Sequence, residues 1–192
     1  MVHEIDCRGL PCPQPVVLTK RLLDQMLEGE IVTIVDNQAA RDNLIRLAKN
    51  FAYDVDVEQA GNDFRVRISK TESMPTQLEA VEDIVIMVTS NVLGHGDDTL
   101  GNVLIKSFFY SLNENDVIGK TLIFLNSGVK LTCSGSEVLE NLMALDKRGT
   151  EVLSCGTCLD FYGLKEKLCV GKITNMYHIL ELLIKAQKVI TL

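Results

Sequence analysis

The sequence predicts an α/β protein in two parts. An N-terminal two-layer α/β sandwich of order βαβαββ precedes a three-layer α/β/α domain with a mainly parallel sheet. Three observations predict this. Apolar residues in the first 70 positions switch between a period of two and the helical period in that order. Residues 71–82 lose periodicity and contain Pro75. From residue 83 onward, β-branched runs alternate with helical stretches, the pattern of a parallel sheet covered on both faces. The expected domains are therefore 1–70 and 83–192, with a linker at 71–82.

In the first part, residues 3–7 read as a short strand. Residues 13–28 repeat Val16, Leu23, Met26 and Leu27 at helical spacing, and Gly29 is the expected left-handed closing residue. Residues 31–35 form a buried strand, and residues 40–50 a helix with Leu44, Leu47, Ala48 and Phe51 inward. Tyr53, Val55 and Val57 alternate with acids, and Phe64, Val66 and Ile68 with Arg65 and Arg67. Gly61-Asn62-Asp63 between them marks a hairpin.

In the second part, strands are expected at 84–89, 121–125, 151–153 and 189–192, and helices at 98–112, 136–148, 160–168 and 175–186. Ser136 is the expected N-cap and Gly149 the expected C-cap of the second of these helices.

A hydrophobic fraction of 46% and a charged fraction of 23% over 192 residues are those of an ordinary globular protein. The net charge of −7 is spread. Residues 1–72 carry 9 basic and 12 acidic side chains, and residues 73–192 carry 10 and 14. Neither part has the basic stripe that a phosphate backbone requires, which excludes direct nucleic-acid binding. The N-terminus has no basic or apolar leader region. The apolar tail at 179–192 is interrupted by Glu181, Lys185, Gln187 and Lys188 and is too short to span a bilayer. The expectation is a cytoplasmic protein without membrane contact. Six cysteines in that compartment read as thiols, metal ligands or reactive groups rather than structural bridges.

Cys12 stands between the turn Arg8-Gly9-Leu10-Pro11 and a helix whose start is marked by Pro13 and Pro15. Proline suits a first helical turn because its missing N–H would be unpaired there. The sulfur is thus expected at the N-cap, facing free amides and the positive end of the helix dipole. That setting favours a thiolate or persulfide anion. The competing reading is that Cys12 simply begins a helix dictated by the prolines. Cys7, at the end of the first strand, reads as a buried cysteine rather than a second functional thiol. Arg8 and Lys20 read as solvated bases, or as charges that steer an acidic partner.

In an open parallel sheet, ligands bind beyond the carboxyl ends of the strands. Three loops should meet there: 90–98, 126–130 (with Asn126 and Gly128) and 154–158 (with Cys155, Gly156 and Cys158). Cys155 and Cys158 leave several chemistries open. They are a redox dithiol, a sulfur-relay site, a zinc half-site lacking its other two ligands, or a buried pair. No metal or other cofactor is expected. The Gly94-His95-Gly96-Asp97-Asp98 string lacks the lysine of a phosphate cradle. His95 reads as a proton carrier or a loop residue. Cys133 and Cys169 read as packing thiols, and His3 and His178 as surface or helix residues.

The string Ile5-Asp6-Cys7-Arg8-Gly9-Leu10, followed by Cys12-Pro13-Gln14-Pro15-Val16 and Lys20, resembles the TusA/SirA family of sulfur carriers. Its hallmark is Gly-Leu-x-Cys-Pro-x-Pro at the first helix. The resemblance implies a persulfide on Cys12, received from a cysteine desulfurase or another sulfur or selenium donor protein and given to a downstream acceptor. Residues 83–192 resemble the DsrE-like family through Asn126-Ser127-Gly128-Val129-Lys130-Leu131 and Cys155-Gly156-Thr157-Cys158-Leu159-Asp160. That resemblance implies a sulfur acceptor at Cys155 and a homo-oligomer; Cys158 is additional to the one-thiol pattern. The fusion, with residues 171–176 and the terminal helix and strand, resembles the YedF group of sulfurtransferase-like proteins linked to selenium metabolism. The chemistry these features imply is that of a sulfur or selenium carrier. Thiol-disulfide exchange at Cys155 and Cys158 and a non-catalytic oligomeric binding module are the alternatives.

Overall fold

A computed structural model describes residues 2–71, 83–115 and 121–192. The chain divides into two compact units, Met1–Gln77 and Leu78–Leu192. The expected linker at 71–82 lies, beyond its first residue, outside the described residues.

The first unit runs β1 (Val2–Asp6), α1 (Gln14–Gln25), β2 (Gly29–Val35), α2 (Gln38–Asn50), β3 (Asp54–Ala60) and β4 (Asp63–Lys70). Its sheet has the order β1-β2-β4-β3, with β1 parallel to β2 and the other pairs antiparallel. Alternation places Phe64, Val66 and Ile68 of β4 opposite Val35, Thr33 and Ile31 of β2, all buried. The intervening Arg67 and Arg65 pair instead with Glu30 and Glu4. One face is therefore core and the other a lattice of exposed ion pairs. Helix α1 buries Pro15, Thr19 and Leu23 at intervals of four, and α2 buries Leu44, Leu47 and Ala48. The one polar member, Thr19, is satisfied: its hydroxyl donates to the Pro15 carbonyl and lies 2.8 Å from the Thr33 hydroxyl. Gly61-Asn62 forms the β3–β4 turn, with Gly61 at φ +66°.

Two local expectations change here. Helix α1 ends at Gln25, with Met26 as an extended C-cap, and Gly29 (φ +139°) opens β2 instead of closing the helix. Lys70 Nζ caps that end by donating to the carbonyls of Leu23 and Met26.

The second unit runs β5 (Ile84–Val88), α3 (Asp98–Asn113), β6 (Thr121–Phe124), α4 (Leu139–Lys147), β7 (Glu151–Cys155), α5 (Gly156–Phe161), β8 (Lys172–Thr174), α6 (Met176–Lys185) and β9 (Lys188–Thr191). Its sheet, of order β8-β7-β6-β5-β9, is all parallel. Two separate apolar clusters, one containing Ile105, Phe109, Leu142 and Leu145 and the other Ile179, flank the sheet. This is the layered arrangement that the strand-helix alternation predicts. The expected helix at 160–168 is displaced: α5 begins directly after β7 and ends at Phe161, followed by a 3₁₀ turn at Lys165–Lys167. The edge strand β8 has only three residues and no apolar run to signal it. Residues Asn126–Thr132, expected as loop, wind into a 3₁₀ segment. Helix α4 starts at Leu139 with Val138 as N-cap, while Ser136 turns the chain before it by accepting from the Val138 amide at 3.3 Å. Among the described residues, no helix is long and apolar enough to cross a membrane.

Candidate functional site

In the first unit, the turn before α1 is built by β1 and β2. Gly9 sits at φ +71° and donates its N–H to Asp36 Oδ2 at 2.7 Å, just past the end of β2. That hydrogen bond holds the Asp36 carboxyl below its ordinary range. Leu10 N–H returns to the Cys7 carbonyl at 3.3 Å. Cys12 emerges from this turn exposed, on a small pocket of ≈ 40 Å³ shared with Leu10, Pro13, Pro15 and Val16 of its own segment and Ala39, Ala40 and Asn43 of α2. Asn43 Nδ2 points to Cys12 Sγ at 3.7 Å. Cys7 is buried, and burial pushes its thiol up.

The expected cap is corrected in detail. Pro13, not Cys12, is the N-cap of α1, and no side chain caps the turn. The amides that were to face the sulfur are occupied or absent. Gln14 N–H bonds the Pro11 carbonyl, Pro15 has none, and the Val16 and Val17 amides both reach the Pro13 carbonyl. A hydrogen bond to the thiol comes instead from the neighbouring helix, through Asn43. Arg8 is also committed: it forks onto Asp6 and reaches Asp63 at 3.1 Å. Lys20 pairs with Asp24 and lies over the Phe51 ring. Neither base faces the sulfur.

In the second unit, the three loops do meet beyond the strand ends. Gly128 packs so closely on the end of β5 that a Cβ there would lie 2.3 Å from the Val88 carbonyl oxygen. The Asn91 amide donates to Ser127 Oγ at 3.3 Å, and the Asn126 amide to Cys158 Sγ at 3.1 Å. Asn126 holds a positive φ of +49°, and its side-chain oxygen accepts from the Tyr162 hydroxyl at 2.9 Å. Cys155 ends β7 and is 3% exposed, whereas Cys158 on α5 is half-buried. The two thiols stand three residues apart across the start of α5, with Cys155 as its N-cap. Burial raises the Cys158 thiol above its ordinary value, the Asn126 amide acts against that rise, and Cys155 adds to it. Gly156 lets this corner meet β8, where a Cβ would lie 3.0 Å from the Ile173 side chain.

His95 is exposed on its loop and makes no described contact with either cysteine. Cys133 is buried and donates to the Val129 carbonyl at 3.2 Å, and Cys169 is exposed. Among the described residues, no three His, Cys, Asp or Glu side chains gather as a metal site.

The sequence did not disclose Asp36, Asn43 or Tyr162. Only Tyr162 left a signal, an aromatic four residues after Cys158 and so on the same helical face. A cavity of ≈ 550 Å³ between α3 and the 3₁₀ segment, lined by Asn91, Lys130, Cys133 and Tyr162 among others, was equally unannounced.

Residues 3–70 match the family described as sulfurtransferase TusA. A protein of Methanocaldococcus jannaschii, named as a candidate sulfur carrier, is 38% identical over 71 residues, which are 36% of this chain and 95% of that protein. The chain belongs to the TusA family. The TusA match is confined to the first unit. YedF of Escherichia coli K12, also named as a candidate sulfur carrier, is 37% identical over 70 residues, 35% of this chain and 91% of YedF. The solved SirA-like protein of Desulfitobacterium hafniense is 31% identical, covers 38% of this chain and 100% of its own, and has a TM-score of 0.35.

Within the TusA unit, the arrangement suits a thiol that must be reached. Cys12 has solvent on one side, apolar groups and one amide donor on the other, and no base in its pocket. The second unit offers the opposite: two thiols one helical turn apart, one covered and one half-buried.

Proposed function

We propose that the chain is a sulfur carrier whose cargo is a persulfide on Cys12. The sulfur comes from a cysteine desulfurase or another sulfur or selenium donor protein, and a downstream acceptor protein removes it. The observation that carries this reading is the exposed Cys12 thiol on the Gly9-Leu10-Pro11-Cys12-Pro13-Gln14-Pro15 turn of a TusA-family unit. Sulfane transfer needs an accessible thiolate and a leaving thiol, not a general base. The Asn43 amide, directed at the sulfur, supports an anionic persulfide, and the apolar wall of Leu10 and Val16 supports docking of a partner. The naming of two relatives as candidate sulfur carriers supports the same reading.

The second unit is read as a DsrE-like domain fused to the carrier, on its 126–131 and 155–160 strings and its layered parallel sheet. In that reading Cys155 and Cys158 form a second thiol site, and the protein works as a cytoplasmic homo-oligomer. Selenium in place of sulfur needs the same exposed, anion-holding thiol, so this reading includes it.

The test is peptide mass spectrometry after incubation with a cysteine desulfurase and cysteine, followed by alkylation. A reductant-labile gain of one sulfur on the Cys12 peptide, lost in Cys12→Ala, is the expected result. Sulfur uptake by the first unit of Cys12→Ala would overturn the assignment.

A further inference from the structure

The Cys155–Cys158 pair has a division of labour that spacing alone does not disclose. Cys155 is the N-cap of α5, and Cys158 lies three residues on, so one helical turn brings it back over Cys155. Positions three apart on a helix have Cβ atoms about 5–6 Å apart, so a closing movement of roughly 1–2 Å at the start of α5 brings the pair to disulfide distance. Cys155 is 3% exposed, so a large reagent meets Cys158 first. Cys158 also receives the Asn126 amide, aimed by the Tyr162 hydroxyl through the Asn126 side chain. An accessible sulfur with a backbone N–H donor, one helical turn from a covered second thiol, is suited to accepting a sulfane sulfur and then expelling it.

We propose that this pair is a persulfide-reducing dithiol, with Cys158 as the accepting thiol and Cys155 as the thiol that releases sulfide. The proposal rests on the reading of the chain as a sulfur-handling protein, and it reverses the roles that the DsrE resemblance implies. In the first step the Cys158 thiolate attacks the outer sulfur of a donor persulfide. A Cys158–sulfur bond forms, the donor S–S bond breaks, and the donor leaves as a thiolate. In the second step Cys155, its proton lost to the outer sulfur or to solvent, attacks Cys158 Sγ. The Cys155–Cys158 bond forms, the bond to the outer sulfur breaks, and that sulfur leaves as HS⁻. The sulfane sulfur gains two electrons and the two cysteines lose them. An external dithiol reductant, the co-reactant of the cycle, restores the pair.

Burial decides between release and onward relay. An acceptor protein has no path to Cys155, but Cys155 lies one helical turn from the sulfur that it must attack. The pocket around Cys12 holds no second thiol, so a persulfide there has no neighbouring cysteine in its own pocket to discharge it. One chain thus holds a thiol that keeps its sulfur and a pair that gives it up as sulfide.

The test treats the reduced full-length Cys12→Ser protein, free of reductant, with one equivalent of glutathione persulfide, a small donor that needs no delivery through Cys12. The expected outcome is a burst of sulfide approaching one per chain, with the Cys155–Cys158 peptide lighter by two hydrogens. Cys155→Ser should release no burst and should accumulate one extra sulfur on Cys158. Cys158→Ser should neither release sulfide nor gain sulfur at Cys155, and Cys169→Ser should behave as the native chain. A stable persulfide on either cysteine of the native pair, or sulfur captured on Cys155 in Cys158→Ser, would overturn the proposal. Sulfide release from a chain whose Cys12 takes nothing from a desulfurase would overturn the carrier reading alone. Cys12 loading without release would overturn this inference alone.

Discussion

Gly128→Ala tests how the loop carrying the Cys158 donor is held on the sheet. The new Cβ would lie 2.3 Å from the Val88 carbonyl oxygen and 3.0 Å from its carbon, both backbone atoms of β5 that cannot rotate away. The 3₁₀ segment must retreat by roughly 1 Å to restore van der Waals contact. Three bonds are in the path of that movement: Leu125 N–H to Val88 O at 2.9 Å, Asn91 N–H to Ser127 Oγ at 3.3 Å, and Asn126 N–H to Cys158 Sγ at 3.1 Å. Overpacking costs about 1–3 kcal/mol and each lost hydrogen bond about 0.5–1.5 kcal/mol, so a loss of about 2–4 kcal/mol is expected. For a unit of this size that lowers Tm by roughly 10 °C. Differential scanning calorimetry, with hydrogen exchange of residues 121–132, measures it. The alkylation rate of Cys158 against pH gives a second readout. Removing the amide removes a group that favours the thiolate, so the inflection should move to higher pH. Gly135→Ala is the matched comparison: it sits at φ +90°, but its Cβ meets nothing within 4 Å. It should cost only about 1–2 kcal/mol of backbone strain. A Gly128→Ala protein with native melting and a native Cys158 inflection would refute the reasoning.

Three further outcomes are expected. Brief native alkylation should label Cys12 and Cys169 first, Cys158 more slowly, and Cys7, Cys133 and Cys155 only after unfolding; peptide mass spectrometry reads the order. Burial raises the Cys7, Cys133 and Cys158 thiols above an ordinary value of 9.0. Their neutral forms therefore favour the fold fully below that pH, and stability should fall as pH rises past it, measurably less so in Cys133→Ala by denaturant titration. Asp6, forked by Arg8, is lowered from 3.8 to about 2, so its contribution is present above the ordinary value and is lost as pH falls toward 2. Carboxyl NMR titration should show Arg8→Gln returning Asp6 to the ordinary range.

Much of the architecture was legible because burial wrote it into the sequence with a clear period. The β4 alternation of Phe64, Val66 and Ile68 with Arg65 and Arg67 is a one-face strand, and its partners Ile31, Thr33 and Val35 carry the same period. Parallel strands buried on both faces, such as Thr121–Phe124, read as continuous apolar runs. Elements whose residues bury little left no such trace. β8 has three residues with only Thr174 buried, and α5 is six residues long with only Leu159 buried, so its start was placed four residues late.

The site divides along the same line. The places of Cys12 and the Cys155–Cys158 pair at strand-to-helix junctions were legible because they follow from local periodicity and helix-start signals. Their surroundings were not, because the deciding partners come from elsewhere in the chain: Asn43 lies 31 residues from Cys12, and Asn126 lies 32 from Cys158. The helix start shows the consequence. Two prolines argue for free amides at an N-terminus, but the tight Pro11-to-Gln14 turn and the Pro13 carbonyl consume the donors that remain. The polarity that reaches Cys12 is thus a side-chain amide from α2, while Cys158 receives the backbone amide of Asn126, whose side chain accepts from Tyr162. A donor on a rotatable side chain, 3.7 Å away, yields easily to a docking partner, whereas a fixed donor at 3.1 Å stays to stabilise charge during bond exchange. On the proposed reading, the two environments differ as a thiol that hands over its cargo differs from one that transforms it. Asn43→Ala should accordingly change persulfide retention on Cys12 by no more than about 10-fold, the worth of one hydrogen bond. Tyr162→Phe should slow sulfide release without altering Cys12 loading at all. Equal effects of both substitutions on both readouts would remove the distinction.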